Sequence, residues 1–418
     1  TDDLGSDQVV VSFQELERLT RTQNMSQWSH DIAKQPIRGI GIGLQDLNLV
    51  KEAAYIATQG SLARLAGEVQ DRTAFKDVIE HQQQDTDLRD LIHTLSEKVN
   101  TGTNTDICPS LASIADMPKQ HTLSVPLYTA KEKQLIDAAL DKETKAWLLS
   151  QSGANSGAYL QAIPVFKHFQ FASSTFRVLL QHRIQVPLTG TTREDTKCSC
   201  RDNTLQPGEV SSGRHFPTRC HEANRIGRHD GINSEVALMY KELRQAPRVE
   251  PLNLISVDGQ DRAADVLLPP SVHGTAKWQA LDVTVVSPDN KTYIRPQTTG
   301  SDKVQFKAAR DKHQTKLRDF EKLLRAQNPP LNPLTFDYEK VPLVFEATGA
   351  WGPETQKWWK KVLKLYDDVE ADPVWTRYRQ GRDFTWSANR FSTWWTQRIS
   401  CAYMRHLGES MLAALPRK

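Results

Sequence analysis

The segment Ala280-Leu-Asp-Val-Thr-Val-Val286 decides the fold that we predict for this chain. Its residues alternate as they do in a strand with one buried face, which places Asp282 and Thr284 opposite Leu281 and Val283. A carboxylate in a mostly apolar strand is costly unless it is paired or bound to a metal. The segment therefore predicts a strand that carries a functional acid.

A second acid lies in the short apolar run just upstream, Ala263-Ala-Asp-Val-Leu-Leu268, which two prolines terminate. Before it, Asp258-Gly-Gln-Asp261 is typical of a hairpin turn. Two successive strands with one acid each, Asp265 and Asp282, indicate that both carboxylates converge on a cation. The alternative is that these are acids on edge strands that face water.

Three of the five cysteines fall within 23 residues and are accompanied by a histidine. Zinc takes four ligands from thiolates and imidazoles, and this stretch supplies four: Cys198, Cys200, His215 and Cys220. His221 is a competing ligand that ranks below His215. The alternative is a loop with incidental cysteines, which we disfavour because cysteine is scarce in the rest of the chain.

Two amphipathic helices flank the acidic strands. The first spans Asp230–Leu243 and carries Glu235 beside its apolar stripe. The second spans roughly Asp302–Arg325, and on a helical wheel Lys316 flanks its apolar face while Lys312 lies further round. Such lysines can reach the acids over the strand edges, although a solvated basic face is the usual outcome.

A glycine-rich segment near the start, Pro36-Ile-Arg-Gly-Ile-Gly-Ile-Gly-Leu-Gln-Asp-Leu47, resembles a phosphate-binding loop only loosely, because no Lys-Ser/Thr pair follows it. A turn that enters a helix is the better interpretation. The residues from Ala130 to Leu188 have helical spacing and are interpreted as packing elements.

The C-terminal part is rich in tryptophan and begins after a buried strand at Val341–Ala350. Seven of the ten tryptophans lie there, among basic residues that suit stacking on nucleic acid, but packing into a core is the preferred interpretation. These residues are Trp351, Trp358, Trp359, Trp375, Trp386, Trp394 and Trp395.

Composition bounds the remaining possibilities. The chain has 418 residues, enough for several domains, and is 38% hydrophobic and 25% charged, as soluble globular proteins are. The net charge of +3 is too small to argue for nucleic-acid binding. No run of 18 apolar residues predicts a membrane span, and five cysteines do not make a disulfide framework. The polar start at Thr1, without an initiator methionine, is expected of a piece of a longer protein.

These motifs together resemble the restriction-like endonuclease region of site-specific non-LTR retrotransposon proteins, of the PD-(D/E)XK type. The similarity covers roughly residues 110–410 and is sharpest at 198–229, 262–286 and 343–353. The segment 36–47 is similar to the one that follows the polymerase thumb in that family. The motifs that carry the resemblance are C-x-C at 198–200, H-x4-C at 215–220, Arg228-His-Asp230, Asp265 at the end of a strand, Leu281-Asp-Val-Thr-Val-Val286 and Phe345-Glu-Ala-Thr-Gly-Ala-Trp-Gly-Pro353.

The resemblance implies a role for each matching residue. Asp265 and Asp282 match the two acids that hold Mg²⁺ or Mn²⁺, and Glu235 matches the acid of the first helix. Two positions depart from the pattern: Ala264 replaces a preferred proline, and Thr284 stands where a lysine is usual. In this family the lysine is moved to the following helix, which makes Lys316 or Lys312 the candidate. The knuckle is expected to bind structural Zn²⁺ and to grip DNA through basic neighbours, namely Arg214, Arg219, Arg225 and Arg228.

We therefore predict an α/β fold in which helices flank a restriction-endonuclease-like mixed sheet. The expected activity is metal-dependent nicking of a DNA target to prime reverse transcription, in an intracellular and nuclear setting without a membrane. Element RNA and a reverse transcriptase domain outside this chain are the other expected partners. The alternative is an inactive remnant that binds nucleic acid or protein through its zinc. The expected divisions are a helical connector at 1–120, a helical linker at 121–197, the zinc knuckle at 198–221, the nuclease core at 222–350 and the tryptophan-rich extension at 351–418.

Overall fold

A computed structural model of the chain describes residues 25–44, 53–58, 120–188, 225–251, 264–270, 272–294, 300–326, 338–370 and 388–415. Shorter described pieces lie at 17–18, 20, 49, 90, 93–94, 198, 200, 210, 212–218, 220, 255–257 and 260–262. The predicted tryptophan positions Trp375 and Trp386, the competing ligand His221 and the candidate DNA contact Arg219 lie outside the described residues, as does the side chain of Arg225.

The chain divides into two units. The first comprises residues 1–18, 26–36 and 43–139, and the second comprises 19–25, 37–42 and 140–418. Within the first unit, helix α1 (Gln27–Ala33) is joined to α2 (Gln120–Asp137) by an ion pair of 3.0 Å between Lys131 and Asp31. The finer divisions expected from the sequence stay predictions.

The second unit holds the remaining described helices and all of the described strands. Its helices are α3 (Lys142–Gln151), α4 (Ser173–Arg183), α5 (Arg225–Glu242), α6 (Lys291–Ile294), α7 (Lys307–Ala326), α8 (Pro353–Glu370) and α9 (Phe391–Ala414), with 3₁₀ turns at Ala158–Gln161, Lys167–Phe169 and Val272–Gly274. Its strands are β1 (Arg248–Val249), β2 (Ile255–Val257), β3 (Gln260–Arg262), β4 (Val266–Leu268), β5 (Trp278–Val286) and β6 (Tyr338–Glu346).

Four strands form one mixed sheet in the order β1-β4-β5-β6. β4 is antiparallel to both β1 and β5, whereas β5 and β6 run parallel over nine residue pairs. A parallel pair needs a long crossover connection, and α7 lies in the connection between β5 and β6. β2 and β3 form the predicted hairpin, with Val257 paired to Gln260. The α/β class is thus confirmed.

The alternation in β5 separates the two faces of the sheet as predicted. Leu281 and Val283 belong to the main core, which also contains residues of α5, α8 and α9. On the opposite face, Val286 and Val344 pack against Ala309 of α7. Asp282 shares that second face, so its carboxylate lies on the side of the sheet that α7 covers.

The tryptophan-rich C-terminal part is core, as the preferred interpretation states. Trp351, Trp358, Trp359 and Trp395 are at most 9% exposed, and the half-buried Trp394 packs edge-on against Phe169 with ring centroids 5.0 Å apart. Aromatic pairs of this kind stabilise a core beyond their buried area. A nucleic-acid stacking surface is therefore not what these described tryptophans form.

Among the helices that the structure describes, none combines the length and the apolar character that crossing a membrane requires.

Candidate active site and metal cluster

Cys198, Cys200, His215 and Cys220 come together as predicted. One ligand atom from each lies within 4.8 Å of every other. The sulfurs of Cys198 and Cys220 are 3.5 Å apart, and Cys200 Sγ is 3.1 Å from His215 Nε2. Three thiols and one imidazole make a donor set that suits tetrahedral zinc. This cluster can therefore hold a metal ion such as zinc.

The cluster is built into the fold. Cys198, His215 and Cys220 are at most 5% exposed, and burial raises the pKa of the Cys198 thiol. The loop that carries His215 turns at Gly213, where φ is 78° and an added Cβ would lie 2.6 Å from His182 Nδ1. That nitrogen also lies 2.9 Å from the Ser212 carbonyl oxygen. The site is thus anchored on α4.

Two of the arginines predicted to contact DNA are engaged inside the protein. The Arg214 side chain is only 14% exposed and lies 3.4 Å from Asp141 and 3.2 Å from the Thr144 hydroxyl. Arg228 is 3% exposed. A phosphate contact needs an accessible cation, so the structure does not support this role for either residue. The sequence could not show this because Asp141 is far away along the chain.

Asp265 and Asp282 lie on adjacent strands, as predicted. The backbone N–H of Asp265 donates to the Leu281 carbonyl at 3.0 Å, and its carboxylate accepts a hydrogen bond from the Val283 N–H. Asp265 therefore contacts both chain neighbours of Asp282. The register agrees, because the next pair along the two strands is Val266 with Leu281. The two acids are 15% and 12% exposed at their side chains.

Two lysines reach Asp282. Lys316 Nζ lies 2.9 Å from Asp282 Oδ2, and Lys340 Nζ lies 3.5 Å from Asp282 Oδ1. Burial lowers the pKa of Lys340, an effect that Asp282 opposes and Lys316 reinforces. Lys312 makes no ion pair with any residue that the structure describes. Of the two lysines proposed on the helix, Lys316 is thus the one that meets an acid.

Lys340 is a candidate that the sequence did not reveal. It pairs with Ala280 in the parallel register of β5 and β6, which places it on the face that Asp282 shares with Ala280. Its side chain is 13% exposed, and its ammonium lies 5.4 Å from the centre of the Phe320 ring. The predicted strand began at Val341, one residue too late to include it. A register with β5 would have identified it.

His229 is the second residue that was missed. Its Nε2 lies 3.0 Å from Asp265 Oδ2, and this hydrogen bond raises the pKa of His229. His229, Asp230 and Glu250 also place one ligand atom each within 4.8 Å of one another. The signal was present in Arg228-His-Asp230, but the sequence assigned no role to the histidine.

Glu235 does not join these groups. Its carboxylate lies 2.7 Å from Arg398 Nε on α9. Six residues separate Glu235 from His229, and at about 100° per residue the two side chains point in directions about 120° apart. Because α5 turns Glu235 toward α9, this residue is placed to join helices. The structure thus corrects the prediction that Glu235 acts beside Asp265 and Asp282.

No protein-family model matches this chain, and no curated protein is significantly similar to it. Its function is therefore argued from the site that these residues build.

Proposed function

We propose that this chain is a metal-dependent DNA endonuclease of the restriction-like, PD-(D/E)XK type found in retrotransposon proteins. The observation that carries the proposal is the convergence of Asp265, Asp282 and Lys316 on one region of the sheet. These residues come from β4, β5 and α7, and each was identified from the sequence before its neighbours were known. Paired acids with a nearby lysine are suited to hydrolysing a phosphodiester bond.

The acids fit a hard divalent cation. Mg²⁺ prefers carboxylate oxygens and is commonly held by one or two of them. Asp265 and Asp282 would hold it, and both carboxylates already attract cationic groups, from His229 and from Lys316. When bound, the ion lowers the pKa of a coordinated water and neutralises charge on the phosphate.

The two lysines have different environments and hence different proposed roles. The Lys316 side chain is 29% exposed, so it can turn from Asp282 toward a phosphate oxygen and stabilise the charge that develops there. The Lys340 side chain is 13% exposed and also contacts Phe320. It remains beside Asp282, where its charge favours the ionised carboxylate.

His229 and the zinc cluster complete the proposed machinery. His229 orients the Asp265 carboxylate, whose other contact is the backbone of β5. Zn²⁺ at Cys198, Cys200, His215 and Cys220 has a structural role, because four protein ligands leave no open position for chemistry. Nuclear DNA, element RNA and a reverse transcriptase remain the proposed partners.

One observation favours a second candidate, a catalytically inactive module that binds nucleic acid or protein. Asp282 contacts two ammonium groups, and a carboxylate neutralised in this way can be purely structural. A single experiment separates the candidates. Supercoiled plasmid is incubated with the protein and Mg²⁺ or with EDTA, and nicking and DNA binding are measured on the same samples. Nicking that EDTA abolishes supports the nuclease, whereas binding without nicking under both conditions supports the inactive module.

A further inference from the structure

The glycine-rich segment near the start of the chain has no role in the proposed endonuclease, yet a buried side chain holds it in place. Arg183 is 4% exposed, and its guanidinium donates hydrogen bonds of 2.7–2.9 Å to three carbonyls of the segment, those of Ile37, Gly39 and Gly41. Gln151 donates another to the Ile40 carbonyl at 2.7 Å. A buried guanidinium depends on such acceptors, so the loop and Arg183 stabilise each other.

The loop packs directly on a second turn. At Gly157 an added Cβ would lie 2.2 Å from the Ile37 carbonyl oxygen, so only glycine allows the two backbones to approach this closely. Two residues earlier, Asn155 has a φ of 66°. The two turns therefore form a wall that is fixed before any ligand binds.

A cavity of about 430 Å³ opens beside this wall, between the turn at 153–158, the loop at 37–38 and the first turns of α9. Its volume lies within the range of about 300–1,000 Å³ that is usual for small-molecule sites. Trp359 of α8 contributes one apolar wall. None of the residues that line it belongs to the group around Asp265 and Asp282.

The lining favours an anion. Arg38 is the one residue with a full charge among those that line the cavity in the described part of the chain, and no Asp or Glu accompanies it. Hydroxyl and amide groups supply the other polar atoms, from Asn155, Gln161, Ser392, Thr393, Thr396 and Gln397. Arg38 is exposed and free to approach a ligand, and arginine matches the geometry of a phosphate group.

We propose that this cavity binds the phosphate ester of one nucleotide. Arg38 and the hydroxyls of Thr393 and Thr396 contact the phosphate, and Trp359 borders the space for the base. The cavity is too large for inorganic phosphate alone. A free nucleotide and one residue of a single strand offer this same chemistry. The site is independent of the proposed nuclease, since the two share no residues.

The test measures binding and its location together. Adenosine 5′-monophosphate, a five-nucleotide RNA and inorganic phosphate are titrated separately by calorimetry, and backbone hydrogen exchange is followed with each. We expect the nucleotide probes to protect residues 153–158 and Arg38→Ala to weaken their binding at least about tenfold, as loss of a charge-assisted contact should. Thr396→Val should weaken it less. Arg325→Ala is the matched control, because its side chain is 83% exposed and outside the cavity.

The probes also identify the source of the ligand. Mononucleotide bound as tightly as RNA indicates a free nucleotide, and RNA bound more tightly indicates a strand, provided that both depend on Arg38. Binding that Arg38→Ala leaves unchanged, the absence of protection at 153–158, or phosphate bound as well as nucleotide would overturn the proposal. Asp282→Asn should leave nucleotide binding intact, so failure of the nuclease and failure of this site are distinguishable.

Discussion

Lys316 Nζ lies 2.9 Å from Asp282 Oδ2, although 34 residues separate the two in the chain. The contact exists because α7 crosses the face of the sheet on which Asp282 lies. Ala308 and Ala309, both at most 1% exposed, let the helix approach the strands closely. Lys316 follows Ala309 by seven residues, close to two helical turns, so it emerges on the same side of α7.

This relationship predicts different effects for the two lysines of α7. Lys316→Ala should slow nicking by about 10²-fold, because a group that stabilises developing charge is lost. Lys312→Ala should leave the rate close to that of the unmodified protein. The measurement is single-turnover nicking of plasmid with Mg²⁺. If Lys340→Ala abolished nicking and Lys316→Ala did not, the role would belong to the lysine of β6.

The zinc cluster predicts a specific dependence of stability on one cysteine. Cys220→Ser should reduce zinc content below one ion per chain and lower the midpoint of thermal unfolding by at least about 5 °C. Cys401→Ser is the matched control, since both cysteines are fully buried but Cys401 lies in α9 outside the cluster. Metal analysis and melting curves measure both effects. Equal zinc content in the two variants would show that the cluster does not hold the ion.

Glu235 provides a test of the corrected assignment. Its ion pair with Arg398 is largely buried, at 14% and 17% side-chain exposure, and Arg398 also lies 4.5 Å from the centre of the Trp395 ring. Breaking such a pair strands one charge, so Glu235→Gln should cost about 3 kcal/mol of unfolding free energy. Nicking by the folded fraction should be unchanged. A loss of nicking without a loss of stability would restore the catalytic role.

Glu346 predicts how stability depends on pH. Burial raises the pKa of this fully enclosed carboxyl to about 7, above its value in the unfolded chain. Between pH 4.5 and 7 the folded protein therefore binds more protons at this site than the unfolded protein does, and stability falls as pH rises. Glu346→Gln should remove up to about 3 kcal/mol of that fall. Urea unfolding at pH 5 and pH 8 measures it, with the exposed Glu354→Gln as control. Equal pH dependence in both variants would exclude Glu346 as its source.

Local patterns were sufficient to predict several parts of the fold. Period-two alternation identified β5 and placed Asp282 opposite Leu281, and the spacing of ligand residues identified the zinc cluster. The turn at Asp258-Gly-Gln-Asp261 indicated the hairpin of β2 and β3. In each case the signal lies within a few residues of the feature it determines.

Contacts between distant segments were not predictable. Lys340 reaches Asp282 only because β6 runs parallel to β5 in one particular register, and Glu235 faces Arg398 because α9 returns to pack on α5. Arg214 looked like a free cation until Asp141 was placed beside it. The cavity at Arg38 likewise depends on Arg183, which lies about 145 residues further along the chain.

The most direct test of the endonuclease is the exchange of one carboxylate for an amide. Asp282→Asn preserves size and removes an anionic ligand, while Asp319→Asn makes the same change at an exposed position of α7. Both variants are incubated with supercoiled plasmid and Mg²⁺, and their DNA binding is measured in parallel. We predict that Asp282→Asn abolishes nicking and leaves binding nearly intact, and that Asp319→Asn nicks normally. Unchanged nicking by Asp282→Asn would mean that the two acids are structural and that the chain is not this nuclease.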